Sequence, residues 1–440
     1  MKRYKEILSV SKKFIKDGHL NNKNVSFNPN YFLSSWAESI GYLNLKSFSH
    51  QKVKYILKCI VIFKEVFSTN RETIDYLGRV KINKYENIIM SYFIPENLKK
   101  NGSYFDKYFS INTDFDKKNL WILIPFKNDI NHYKTNENLI ILNRNNYNFY
   151  YNIFSSIYLY LKVLFSTLFF TKIQNLNLQE SKFSKSLYQI FDSIIAKQNI
   201  KNFFFPYESQ PHQHYLVSKL KKKNPKLKII GYMHTVLPPL PLDYIKRPGH
   251  PDLVYVNGYS QKKIMCEKLG WKKREVKTIV SFRYKKIIKN NLNNIIFLPY
   301  FLENEDKIFN LFKNLIYSKP KEFFPKFNIK NHPSMDSSKK HLKLIKKLRL
   351  FLNKEKNFFK NKPSNKKISI FIGSTASVAE GLERGLRVFH ICSDPILEKF
   401  DKFYWDNIKN LYINENIFEY KLKNKGSLIK FSNSNRKFIC

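Results

Sequence analysis

Cysteine is scarce and scattered: Cys59, Cys266, Cys392 and Cys440 are the whole complement of 440 residues, and no two of them form a CxxC pair. That spacing argues against a disulfide framework and a cysteine zinc site, and it suits a reducing compartment. Acidic residues are also few. Asp and Glu number 34 against 78 Lys and Arg, a formal charge of +44. Residues 1–10 lack an apolar run ending in a small-residue cleavage site, so a secretory leader is not expected there. No repeat of fixed period runs through the chain, which argues against a solenoid. The longest apolar stretch, Tyr150 to Phe170, approaches the ~20 residues that cross a bilayer. Lys162 sits in its middle among scattered Tyr, Ser and Thr, so a buried or interfacial helix is expected rather than a span.

Aromatic residues, by contrast, are plentiful: 39 Phe and 28 Tyr, within a hydrophobic fraction of 43%. A chain of this size and content buries cores, and its length suggests two domains or three. The lysines are spread along the whole sequence and come with abundant Asn, Ile, Phe and Tyr, as AT-biased coding favours. The charge therefore does not by itself designate nucleic acid, which is not an expected partner. A positive field also suits an anionic membrane surface, an acidic glycan or a nucleotide.

Residues 1–80 read as a helical extension without chemical motifs. Beyond them, short apolar runs alternate with longer amphipathic stretches, the pattern of parallel strands and crossover helices. Strands are predicted at 87–93, 120–126, 138–142, 202–207, 227–233, 253–257 and 276–280, with helices within 150–199 and at 211–223 and 259–269. A polar stretch, 285–294, reads as a linker. Further strands are predicted at 295–299, 327–331, 368–372, 388–391 and 411–413, with helices near 304–317, 338–356 and 376–385. The expected architecture is α/β: an N-terminal lobe over 81–284 and a C-terminal lobe over 285–440, both Rossmann-like, with ligands in the cleft between them.

The candidate site residues sit just after strands. At 373–377 an apolar strand runs into Gly-Ser-Thr-Ala-Ser and a helix, so Ser374, Thr375 and Ser377 either hold a phosphate or only cap the helix. Glu380, one turn on, is either a candidate for a ribose hydroxyl or part of the helix's solvated face. His332 follows a strand and precedes Pro333, placed to stabilise charge on a leaving group, with Lys330 as an added cation. Glu208, at the end of the 202–207 strand, is either a candidate general base on an acceptor hydroxyl, with Gln210 close by, or a charge that compensates the dipole of the following helix. His234 and Thr235 precede a Pro-rich loop that suits either acceptor binding or a rigid crossover without a ligand. Asp114 and Asp116 form a two-carboxylate pattern, but they precede their strand, at the wrong end for a site, so no metal cofactor is expected.

The Asn-His-Pro tripeptide at 331–333 and the Gly-Ser-Thr-Ala-Ser turn at 373–377 resemble the His-Pro and Ser-Ser/Thr motifs of bacterial sialyltransferases, which have the GT-B fold. Related motifs occur in Kdo-type transferases and in glycerophosphotransferases that use CDP-glycerol. The Tyr207-Glu208-Ser-Gln-Pro stretch resembles a Tyr-Glu-x-Gln-Pro signature of surface carbohydrate biosynthesis proteins. The resemblance covers about residues 200–400. It implies a cytoplasmic, membrane-associated glycosyltransferase of capsule or lipopolysaccharide synthesis. Its donor is a nucleotide-sugar, with a CMP-activated acidic sugar the closest analogue, and its acceptor a glycan or lipid-linked glycan. Transfer is metal-independent and inverting, with His332, Ser374, Thr375 and Ser377 on the CMP phosphate and Glu208 as base. The acidic motif that supplies the sialyltransferase base is absent, so Glu208 takes that role by position. Two other expectations remain open: a CDP-glycerol-type glycerophosphotransferase, and a non-catalytic anion- or membrane-binding protein of the same fold.

Overall fold

A computed structural model describes residues 2–9, 11–12, 84–125, 133–142, 182–285, 292–300, 302, 304–319, 324–332, 335–355, 359–360 and 367–432. Most of the 1–80 extension, the apolar 150–170 stretch, residues 286–291 of the linker, and Pro333 lie outside them.

The first part of the chain builds β1 (Asn87–Phe93), a small hairpin of β2 (Phe105–Asp106) and β3 (Ile111–Asn112), β4 (Asn119–Pro125) and β5 (Leu139–Ile141). Helix α1 (Lys182–Ala196) then leads into β6 (Asn202–Pro206), α2 (Pro211–Lys223), β7 (Lys228–Tyr232), β8 (Leu253–Val256), α3 (Tyr259–Glu267) and β9 (Val276–Thr278). Seven of these strands form one sheet in the order β5-β4-β1-β6-β7-β8-β9, with every neighbouring pair parallel. Strands β1 and β4 are buried along their full length, as their predominantly apolar runs require in a sheet covered on both faces. Alternation sorts the residues: Ile89, Trp121, Leu123, Phe204 and Ile230 enter one core, while Ile88, Leu120, Ile122, Phe203 and Ile229 enter the other.

The second part supplies β10 (Ile295–Phe297), α4 (Glu305–Tyr317), β11 (Phe324–Pro325), β12 (Asn328–Lys330), α5 (Lys339–Lys354), β13 (Phe359–Lys360) and β14 (Ile368–Ile372). It ends with α6 (Ser377–Glu383), β15 (Arg387–Ile391), α7 (Pro395–Glu398), β16 (Ile408–Asn414) and β17 (Ile417–Leu422). Its sheet runs β12-β10-β14-β15-β17-β16. The first four strands are parallel, and the last two form an antiparallel hairpin added to β15. The sequence pattern had placed a strand only at 411–413. Strand β17 escaped because Glu419 and Lys421 break its apolar run. Glu419 is held by Arg387 on the neighbouring strand through two contacts of 2.7 and 2.9 Å.

One core is shared by both sheets: Ile295, Phe297, Phe371 and Val388 join the cluster that contains Ile88 and Phe203. Residues 426–432 also cross back to the first sheet. Ser260 N donates to Ser427 O (2.9 Å), Lys430 N to Asn257 O (2.7 Å) and Ser281 N to Lys430 O (2.8 Å). Among the described residues no helix is long and apolar enough to cross a membrane.

Candidate functional site

The first sheet reverses its winding between β1 and β6, since β4 and β5 add on one side and β7, β8 and β9 on the other. In such sheets the helices leave a crevice at the carboxyl ends of the two strands at the reversal. Glu208 stands at that crevice, two residues beyond the end of β6. The turn that carries it is built around Gln213 of α2, which is fully buried. The Gln213 side-chain oxygen accepts from the Glu208 and Gln210 amides (3.0 and 3.2 Å), and its nitrogen donates to Pro206 O (2.7 Å). Gln210 itself is the N-cap of α2.

Between them Ser209 takes a left-handed conformation (φ 58°), which a non-glycine residue adopts only when its surroundings hold it. They do. Ser209 Oγ donates to Asp243 O (2.6 Å), lies 2.8 Å from His214 Nε2 and accepts from Arg247 Nη2 (3.2 Å). Arg247 also donates to His214 Nε2, leaving His214 Nδ1–H for Gly249 O (3.1 Å). Burial, and then the Arg247 charge, hold His214 well below the usual histidine range. It is thus a neutral structural residue beneath the turn. On the neighbouring strand, a Cβ at Gly231 would stand 2.7 Å from Tyr207 Cβ, so only glycine lets β7 pass beside it.

Strand β7 delivers His234 to the same crevice. Glu208 Oε1 lies 3.4 Å from His234 Nε2. The His234 ring is nearly buried and meets the Tyr108 ring edge-on at 4.5 Å. Tyr108 in turn packs against Tyr92 at 5.4 Å. About a third of the Glu208 side chain (32%) stays open to solvent, but the protein crowds it elsewhere and pushes its pKa up to about 7. Arg283, exposed beyond the end of β9, opposes that shift with its charge. His234 is held well below its usual range by burial, with the Arg283 charge adding to it. At neutral pH the pair is therefore a neutral imidazole beside a carboxyl near its midpoint. Asp106, fully buried in the hairpin, accepts from Phe109 N (2.7 Å) and so fixes the loop that carries Tyr108.

The second sheet reverses between β10 and β14, and the remaining predicted residues gather at that edge. Gly373 begins the turn after β14 at φ 65°, and a Cβ there would press on Pro299 Cγ at 3.0 Å. Ser374, Thr375 and Ser377 follow, all half-buried, and Thr375 Oγ1 accepts from Ser377 N (3.2 Å). That bond braces the turn ahead of α6, whose N-cap is Ala376, and it leaves the Thr375 hydroxyl proton, with Ser374 and Ser377, able to meet a ligand. Glu380 is paired with Arg384 one turn on at 2.8 Å, and Arg384 also donates to Lys285 O (3.3 Å). His332 lies two residues beyond the end of β12, which β10 separates from β14, its ring edge-on to the exposed Tyr300 at 5.3 Å, while Lys330, the last residue of β12, is exposed. Burial lowers the pKa of His332.

The structure thus groups Glu208, Gln210 and His234 at one sheet edge, with Thr235 half-buried immediately after His234. It groups His332, Lys330, Ser374, Thr375, Ser377 and Glu380 at the other. The segment 281–285 runs between them: the Arg283 charge acts on Glu208, and Tyr284 next to it feels Glu380. Asp116 instead accepts from Lys118 N in the turn before β4, at the far end of the sheet.

Several site residues were not singled out from the sequence. Gln213 lay inside the motif read for Glu208. Tyr92, Tyr108 and Arg283 belong to separate segments that only the sheet order brings together. His341 and His390 sit inside regular elements: His341 Nε2 donates to Pro299 O (2.8 Å), and His390 Nε2 donates to Gly373 O (2.7 Å).

These features define an α/β protein with two largely parallel, doubly wound sheets. No protein-family model and no curated sequence matches the chain. A solved structure to which it is similar is the N-terminal domain of trehalose-6-phosphate phosphatase from Candida albicans. That match has 10% identity and a TM-score of 0.34, and covers 62% of this chain and 70% of the other.

Proposed function

We propose that the protein is a glycosyltransferase of surface polysaccharide or lipopolysaccharide synthesis, with the two sheets as the lobes of a GT-B enzyme. The observation that carries this reading is Glu208: a carboxyl at the reversal point of its sheet, partly open to solvent, with a pKa raised to about 7. A general base works best when its pKa lies near the ambient pH, and proton removal by such a group contributes about 10²–10⁴-fold in rate. Glu208 takes the proton of an acceptor hydroxyl as that oxygen attacks the anomeric carbon. His234 lies beside it as a neutral neighbour, and the Arg283 charge only partly offsets the burial that favours the protonated carboxyl. The tyrosine walls suit the apolar faces of sugar rings.

The donor lies across the second sheet edge. Ser374 and Ser377 hydroxyls and the amides of the turn after Gly373 meet its phosphate, and His332, neutral at pH 7, donates an N–H to the leaving nucleotide. A CMP-linked acidic sugar is the favoured donor, with Arg283 and Lys330 as nearby positive charge. The Glu380–Arg384 ion pair engages the carboxylate first assigned to the ribose, so ribose binding needs either a shared contact or a different residue. The proposed site of action is the cytoplasmic face of the membrane.

Thermal unfolding with CMP, CDP, UDP, GDP and ADP tests the donor, because a ligand at 100 times its dissociation constant adds about 2.7 kcal/mol. A CMP-selective shift that is lost in His332→Ala supports the reading. A UDP or GDP preference keeps the transferase and discards the CMP donor, and no shift with any nucleotide rejects both.

A further inference from the structure

Helix α5, Lys339–Lys354, contains no acidic residue. Its inward face, His341, Leu344, Leu348 and Phe351, is buried. One flank is neutralised, since Lys343 and Lys347 pair with Glu305 and Asp306 of α4. The outward face is of another kind. Leu342 and Leu350 are 50% and 60% exposed, and Lys339, Lys346 and Arg349 are exposed around them. Positions 342, 346, 349 and 350 fall at the i, i+4, i+7 and i+8 spacing of a single helical stripe. The two leucines are therefore about 12 Å apart along the helix, with cations between and beside them.

We propose that this face of α5 docks the protein on an anionic lipid surface, lying flat with Leu342 and Leu350 in the acyl boundary and Lys339, Lys346 and Arg349 at the headgroup phosphates. An amphipathic helix binds an interface by this combination of buried apolar area and attraction to anionic lipid. A second copy of the same face is a poor occupant, because it would oppose like charges. Nucleic acid would use the cations but leave both leucines against a polar backbone. The inference stands apart from the transferase reading, since it needs no catalytic activity.

The test uses the full chain with sedimenting vesicles of phosphatidylcholine, with and without phosphatidylglycerol. Two variants are compared, Leu342→Ser with Leu350→Ser, and Lys346→Glu with Arg349→Glu, each first shown to melt as the wild type does. Binding is expected only to vesicles with phosphatidylglycerol, weakened about tenfold or more in both variants and reduced by salt. Three results overturn it. The first is no binding to phosphatidylglycerol vesicles. The second is binding that both variants retain, which places the contact elsewhere. The third is binding that the leucine variant retains, especially if the wild type takes up a single-stranded oligonucleotide equally well, which marks a general polyanion surface.

Discussion

The Glu208 carboxyl lies 3.4 Å from the His234 imidazole at the end of the first sheet, and burial acts on the two in opposite senses. It raises the pKa of the acid and lowers that of the base, so each favours its neutral form. An ordinary surface Glu–His contact would instead favour the ion pair.

Catalysis that uses Glu208 as base should therefore rise with pH through about 7, the value of its carboxyl. Glu208→Gln keeps the shape of the side chain and its backbone bond to Gln213, but it cannot take a proton. Transfer to acceptor should fall by about 10²–10⁴-fold, with nucleotide binding unchanged. Initial rates across pH 5–9, beside nucleotide thermal shifts, check both parts. Retained activity in Glu208→Gln removes the residue from the chemistry.

Gly373 is held in place by His390 Nε2, which donates to its carbonyl at 2.7 Å. Gly373→Ala places a Cβ against Pro299 and forces alanine to φ 65°, a change that costs about 1–2 kcal/mol. The strain falls where the phosphate is proposed to bind. Nucleotide affinity should accordingly drop by more than the global stability loss predicts, and titration calorimetry under fully folded conditions separates the two effects.

Much of this geometry was legible in the sequence, and the limits are physical. The strands at 87–93 and 368–372 and the helix at 211–223 are found at their predicted limits, because largely apolar runs mark the strands and Pro211 opens the helix. Residues immediately after such strands, Glu208, His234, His332 and Ser374, could be named because a parallel sheet gathers the carboxyl ends of its strands on one side. Strand order is not written in any single run. That is why Tyr108, carried by a two-stranded hairpin, and Arg283, after a three-residue strand, were invisible until the sheet placed them beside Glu208. Thr375 shows the reverse: its hydroxyl was legible, but its bond to Ser377 N within the turn was not distinguishable from a ligand contact.

Glu383 joins the two sheets. Its carboxylate, nearly buried, accepts from Gly426 N (2.6 Å), Leu428 N (2.7 Å) and Ile429 N (3.2 Å), the segment that crosses back to the first sheet. Glu383→Ala leaves three amides without that acceptor and should destabilise the protein by about 3 kcal/mol or more. Glu383→Gln, which retains one acceptor oxygen, should recover part of the loss. Urea unfolding followed by intrinsic fluorescence measures both. A separate early transition in Glu383→Ala would mean that the two sheets have come apart before either unfolds.

The buried histidines give stability a pH dependence of definite sign. His214 and His234 are held well below 6.5 and His390 falls to about 4, so each stays neutral in the folded protein while the unfolded chain protonates. The unfolded state then binds more protons, and stability is lost as pH falls below about 6.5. Glu208 has the opposite sign: with a folded pKa raised to about 7, its contribution is lost as pH rises from the ordinary glutamate range through that value. Glu208→Gln removes only this second term. Melting temperatures of the two proteins should therefore agree near pH 4 and diverge between pH 5 and 8, the variant becoming the more stable. A constant difference across that range would show that the carboxyl titrates as an ordinary surface glutamate, and with it would go the physical basis for Glu208 as a base.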